Sequence, residues 1–259
     1  MLARILLPNI CAVLAVCVQG RAQEGFVDPS LNGGSMLTYT LNTFPPNLGE
    51  PLNVIISNQS DPRVLAETMW EGGLYTYLEA GAFGGQCLGL HMGNKQQANL
   101  GDGNKNQTQK ALLRYQYFHN HFLGTCLETL YGGNHIRVFK QETSGAYFLS
   151  ASTELDSKRY HQLGINAYDA GRDLFVGNAT NIAIKGYLDS DASFIGGSQQ
   201  ERLEIQNHSE LHRGSSASKQ DVQPVGGEIS DGLVAVLTVQ VIQEDPKHWS
   251  EWVWSALGL

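Results

Sequence analysis

Long apolar runs are missing from this sequence everywhere but at its start, and clusters of basic residues are missing throughout. A helix that spans a bilayer needs about 18 consecutive apolar residues, and nothing after the first 22 positions approaches that. Lys and Arg total 17 against 25 Asp and Glu, a net charge of −8 with no compensating basic cluster. Such a surface repels nucleic acid and anionic lipid, so neither is expected as a partner. Catalytic signatures are also lacking. There is no Gly-x-Ser-x-Gly, no Gly-rich phosphate loop with Lys, and no His-Glu-x-x-His, which leaves nucleophilic catalysis unsupported. Carboxylate chemistry is not excluded by this, but Glu67, Glu71, Glu79 and Glu128 have no distinctive spacing.

What stands at the start reads as a leader. Arg4 supplies a small positive region, Ile5 to Val18 is apolar apart from Pro8 and Asn9, and Gly20-Arg21-Ala22 offers small residues for cleavage. Residues 1–22 therefore read as a secretory signal peptide cut after Ala22, too short to serve as a membrane anchor. Losing Arg4 and Arg21 lowers the net charge from −8 to −10. The Trp-rich tail is too short and interrupted for a lipid-anchor signal, and it carries no retention tetrapeptide. The expectation is a secreted, extracellular protein with no membrane association after cleavage. Four acceptor patterns for N-glycosylation, at Asn58, Asn106, Asn178 and Asn207, agree with export. Cys11 and Cys17 leave with the leader, so Cys87 and Cys126 remain; an oxidising compartment favours one disulfide over two buried thiols.

After the leader, residues 23–50 read as an extended lead-in and 51–259 as one α+β domain. Leu52 to Ser57 is an apolar strand. Asp61-Pro62 caps a helix to about Trp70, stopped by Gly72-Gly73. Residues 75–130 form a loop-rich insertion, with a short strand near 86–91 and a bent strand over 111–122. Tyr131 to Thr153 carries the clearest hairpin. His135, Arg137 and Phe139 alternate with Ile136, Val138 and Lys140, Glu142 to Gly145 turn, and Ala146 to Thr153 returns. An amphipathic helix follows from Asp169 to about Leu188. Gln200 to Leu211 is too polar to assign, 213–231 reads as loop, and Gly232 to Ile242 is a strand. Strand, helix, strand, strand, helix, strand is the order of a ferredoxin-like split βαβ sandwich: an antiparallel sheet with two helices on one face.

These segments resemble the C-terminal domain of bacterial LssY-type proteins. The residues that carry the likeness are Pro51-Leu52-Asn53-Val54, Trp70, His135 to Phe139, Leu149 to Ser152, and Arg172-Asp173. It covers roughly Pro51 to Ile184 and implies a secreted eukaryotic, fungal version without the membrane phosphatase domain, whose motifs are absent. Two positions depart from the pattern: Asn134 replaces the first of a paired His, and Phe139 stands where Trp is usual. The family brings no established activity.

Three constellations remain. His135 and Arg137, on one strand face beside Asn134, suit an anion ligand read by a guanidinium; equally, Arg137 could pair with Asp173 or another helix carboxylate while His135 lies in the core. Trp252 and Trp254 could form a stacking platform for a glycan, or plug the sheet. His119 and His121, with His135, offer a three-His site for zinc or another divalent transition metal, or simply an aromatic-lined strand. The leading expectation is a non-catalytic extracellular binding or surface protein with no cofactor, directed at a glycan, cell wall or host surface. A metal-dependent hydrolase using the His cluster is the alternative.

Overall fold

The computed structural model describes residues 25–40, 49–70, 72–90, 95–120, 123–180, 193–200, 203–213 and 230–243. In chain order the strands and helices are Thr38–Tyr39 (β1), Val54–Ile56 (β2), Leu74–Ala80 (α1), Phe83–Gly84 (β3), Gln97–Asn99 (β4), Asn106–Thr108 (β5) and Ala111–Tyr115 (β6). Gly124–Tyr131 (α2), Gly133–Lys140 (β7), Tyr147–Glu154 (β8), Ala167–Thr180 (α3), Ser193–Gln200 (β9), Leu203–Arg213 (β10) and Leu233–Gln243 (β11) follow. Short 3-10 turns lie at Cys87–Gly89, Tyr117–His119 and Ser157–Arg159.

One eight-stranded sheet runs β3-β6-β7-β8-β2-β11-β10-β9, and β1-β4-β5 form a second, three-stranded sheet. The architecture is α+β. The four strands expected from the pattern lie side by side as β7-β8-β2-β11. The sheet is mixed, however, and not wholly antiparallel, because β11 pairs with β2 in parallel. The last strand also enters from the β9–β10 meander at the far edge, an extension the pattern did not predict.

Period-2 alternation assigns the two faces of the central strands. Val54, Ile56, Ile136, Val138, Tyr147, Leu149, Ala151, Leu233, Ala235 and Leu237 face a core shared with α1 (Leu74, Tyr77, Leu78) and α3 (Phe175, Val176, Ala179). Ile55, Phe139, Phe148, Val234 and Val236 face the other way, onto Met36, Leu52, Ala98 and Leu100 around the small sheet. Covering on both faces explains why β2 and β11 read as almost unbroken apolar runs.

Several local expectations change. No helix forms over 61–70. The Asp61 carboxylate accepts from the Arg63 backbone N–H at 2.9 Å and grips its guanidinium, closing a turn in place of a helix cap. Gly73 then caps the start of α1, so the glycine pair opens a helix instead of ending one. Residues 86–90 contain a 3-10 turn and no strand, and the 111–122 strand ends at Tyr115 because Phe118 and His119 take left-handed conformations. Residues 97–99 and 106–108, expected as loop, pair as β4 and β5. Gly196-Gly197 lies within β9, and the unassigned 203–211 stretch within β10. The predicted helix after residue 180, including Ile182, Ile184 and Leu188, lies outside the described residues, as does most of the 213–231 loop.

Candidate functional site

The β7–β8 hairpin sets the site. Gly145 takes φ +82 in the connecting turn, and the register that follows puts His135 opposite Ser152 and Arg137 opposite Ser150. On its other side β7 pairs with β6, so Arg114 lies opposite His135. Cross-strand partners share a face. The result is a polar patch on the sheet face turned away from α1 and α3.

Half of this patch centres on Glu50, delivered by the chain just before β2. Its carboxylate accepts from Arg137 Nε at 3.2 Å, Gln96 Nε2 at 2.6 Å and Ser150 Oγ at 3.0 Å. Arg137 Nη1 donates to Gln109 Oε1 at 3.0 Å. Burial pushes the Glu50 carboxyl up, but the Arg137 charge, then His135 and the hydrogen bonds, outweigh it and hold it below the usual range.

The other half centres on Glu154, at the end of β8. Arg114 Nη1 bridges Glu154 Oε2 at 3.1 Å and Glu128 Oε2 at 2.9 Å, the latter from α2, while its Nε donates to Gln86 Oε1 at 3.2 Å. His135 Nδ1 lies 3.3 Å from Glu154 Oε1, out of hydrogen-bond line, and His161 Nδ1 lies 3.7 Å from Oε2. Ser152 Oγ sits 3.3 Å from His135 Nε2. Serine, imidazole and carboxylate thus stand in the order of a nucleophilic relay. Ser152 is 0% exposed and His135 2%, so neither meets solvent in this arrangement. Burial lowers the affinity of His135 for a proton, and burial raises Glu128 to about 7.

A third cluster lies on the helix side. Arg172 is wholly buried and binds Asp231 through two bonds of 2.6 and 2.9 Å, Asp173 at 2.8 Å, and the Leu233 carbonyl at 3.1 Å, with Asp169 at 3.8 Å. Burial raises Asp169 and Asp173. For Asp231 the burial penalty is outweighed by the Arg172 hydrogen bonds, and its carboxyl is held low. The expected Arg137–Asp173 pair is not made: each residue has a nearer partner, Glu50 for one and Arg172 for the other.

Among the sequence candidates, His135 and Arg137 share the patch. Asn134 does not join them, because alternation turns it to the other face, where its amide donates to the Gly171 carbonyl at 2.9 Å. His119 is exposed on the Tyr117–His119 turn, and His135 is buried in β7. His121, Trp252 and Trp254 lie outside the described residues. Among the described residues no group of three His, Cys, Asp or Glu side chains is placed to hold a metal. Cys87 and Cys126 are joined as a disulfide that ties the Cys87–Gly89 turn to α2.

Sequence reasoning gave no place in the site to Glu50, Arg114 or Glu154, and named Glu128 and Ser152 without bringing them to His135. The hairpin turn was a usable signal for the serine, since a fixed turn fixes register and sets Ser152 against His135. Nothing local marks Glu50 or Glu128. No helix among the described residues is long and apolar enough to cross a membrane. Compared with family models, curated proteins and solved structures, the chain gives no match to any of them.

Proposed function

We propose that this chain is an exported, N-glycosylated binding protein of the LssY C-terminal-domain type. On this reading it acts outside the cell on a glycan or cell-surface component, without catalysis and without a cofactor. Its central strands with α1 and α3 would be a ferredoxin-like core enlarged at both edges. Nucleic acid has no place in this reading, nor does a retained membrane anchor. One observation carries it: the residues best suited to chemistry, His135, Arg137 and Ser152, are turned inward and hydrogen-bond to groups of the same chain. Buried charges persist when such partners satisfy them. A cluster bonded inward in this way holds strands in register and leaves recognition to the surface.

The competing reading, a hydrolase, has one feature in its favour, the Ser152–His135–Glu154 order. The two separate in a direct test. Protein secreted from a eukaryotic host, without a His tag, is assayed against esters, glycosides and peptides beside Ser152→Ala and His135→Ala variants, and its metal content is measured. We expect turnover no greater than that of the variants. Hydrolysis abolished by Ser152→Ala in a folded variant, or a stoichiometric metal lost with His119→Ala, would overturn the binding reading.

A further inference from the structure

Helix α2 is built inside out. A surface helix normally buries its apolar stripe and shows polar residues to water. Here Gly124, Thr125 and Glu128 are buried, while Leu123, Leu130 and Tyr131 are exposed. Leu123, Leu127, Leu130 and Tyr131 recur at the spacing of one helical face, with Leu127 partly exposed. The helix has no exposed charge of its own.

Three 3-10 turns pack around this helix. The first is tied by the Cys87–Cys126 disulfide, and Tyr117 Oη donates to the Gly132 carbonyl at 2.9 Å from the second. In the third, Ser157 Oγ donates to the Leu130 carbonyl at 3.3 Å. Each turn presents a bulky residue in a left-handed conformation, Leu88 at φ 52 and Phe118 at φ 58 within the first two and Tyr160 at φ 56 just after the third. Side chains of this size seldom adopt that region, and strained positions of this kind gather at functional surfaces. They are 78%, 85% and 86% exposed, so they project into solvent.

The charge beside Tyr160 is cationic in an otherwise acidic chain. The third turn carries Lys158 and Arg159, both exposed, with Asp156 only 4.0 Å from Arg159. Other carboxylates touching the region, Glu128 and Glu154, are turned inward onto Arg114. Two copies related by a two-fold axis would bring Lys158 and Arg159 against a surface where, among the described residues, Glu128 and Glu154 are turned inward and Asp156 already faces Arg159. Exposed apolar tips with two cations on the third turn instead fit a fluid apolar medium with an anionic boundary.

We infer that α2 and its three turns form a docking surface for an anionic lipid bilayer, with Leu88, Phe118, Leu130 and Tyr160 entering the headgroup boundary. This rests on the binding reading above and gives it a partner. It reverses the expectation drawn from net charge. Screening limits charge effects to about 8 Å at physiological salt, so the local cations decide attraction once the molecule is oriented.

The test uses the secreted full chain and flotation with vesicles of phosphatidylcholine alone or with 30% phosphatidylserine. We expect partitioning at least tenfold stronger with the anionic lipid, falling about fivefold for each cation removed in Lys158→Ala and Arg159→Ala. Phe118→Asp, which suits a left-handed position, and Leu130→Asp should each abolish flotation while thermal unfolding is unchanged. Flotation indifferent to these variants, or none at all, overturns the inference. So does a dimer or a bound glycan lost on Leu130→Asp, which would hand the surface to another occupant; the binding reading survives all three, and is removed by the turnover or bound metal named above.

Discussion

Glu128 has no exposed side-chain surface, one oxygen on Arg114 and the other without a partner among the described residues. Burial, only partly offset by Arg114, lifts its carboxyl from the ordinary 4.5 to about 7. A raised acid binds its proton more tightly folded than unfolded. Its ionisation therefore subtracts stability as pH climbs from 4.5 to 7, and the loss is complete above that. At about 1.4 kcal/mol per pH unit, the penalty reaches roughly 3 kcal/mol. Glu50 runs the other way: held low, it contributes above its ordinary range and that contribution fades on acidification. Urea unfolding of wild type and Glu128→Gln from pH 4.5 to 7.5 isolates the first effect, because Glu50 is common to both. The variant should gain on wild type by roughly 3 kcal/mol across the window; a constant difference would refute the raised carboxyl. At this scale the sequence shows that His135 and Arg137 share a face, since strand alternation requires it. Their partners arrive from positions such as Glu50 and Glu154, and no local period encodes those distances.

Helix α3 lies close enough to β8 to leave no room for a Cβ at position 171. A Cβ there would stand 2.4 Å from Ser152 Cα and 2.5 Å from its backbone nitrogen, atoms that cannot swing aside. Alanine is normally worth about 1 kcal/mol over glycine inside a helix. Gly171→Ala should nevertheless destabilise by about 1–3 kcal/mol, since overpacking costs that much and backbone yields least. Gly85→Ala, which meets nothing within 4 Å, is the control and should change little. Chemical denaturation of both decides it; a neutral Gly171→Ala would mean that α3 can back away from the sheet. The same contact explains which elements the sequence reveals. β11 is legible because both its faces are apolar and covered, and β7 and β8 because one face is apolar and packs toward the helices while the other alternates with it. The 61–70 segment misleads because Asp-Pro signals open a turn as readily as a helix, with Arg63 taking the Asp61 carboxylate. β10 is hidden because its polar run carries no apolar period; its hydrogen bonds go to β9 and β11, and backbone pairing leaves no mark in side-chain composition.

For the whole molecule, the proposed export and glycosylation can be checked against the fold at the four acceptor asparagines. Asn106 and Thr108 are exposed on β5, at the edge of the small sheet. Asn58 is partly buried, with its amide on the Ser144 carbonyl at 3.1 Å, and Ser60 Oγ accepts from the Val239 N–H at 3.0 Å. Asn178 sits in α3 with its amide on the Gly81 carbonyl at 3.2 Å, and Thr180 is 1% exposed. Asn207 lies in β10 opposite Val239. A sugar is attached through the amide nitrogen, so a glycan at Asn178 would have to displace that bond and the packing of α3 around it. Secreted protein should therefore carry a glycan at Asn106 and none at Asn178. Intact mass before and after enzymatic deglycosylation, with Asn106→Gln and Asn178→Gln, reads both sites. Asn106→Gln should remove the mass of one glycan, and Asn178→Gln none. A glycan on Asn178 in folded protein would mean that α3 is not packed as described. A chain with no glycan at any of the four sites would count against passage through the secretory pathway, and with it the address on which the binding reading depends.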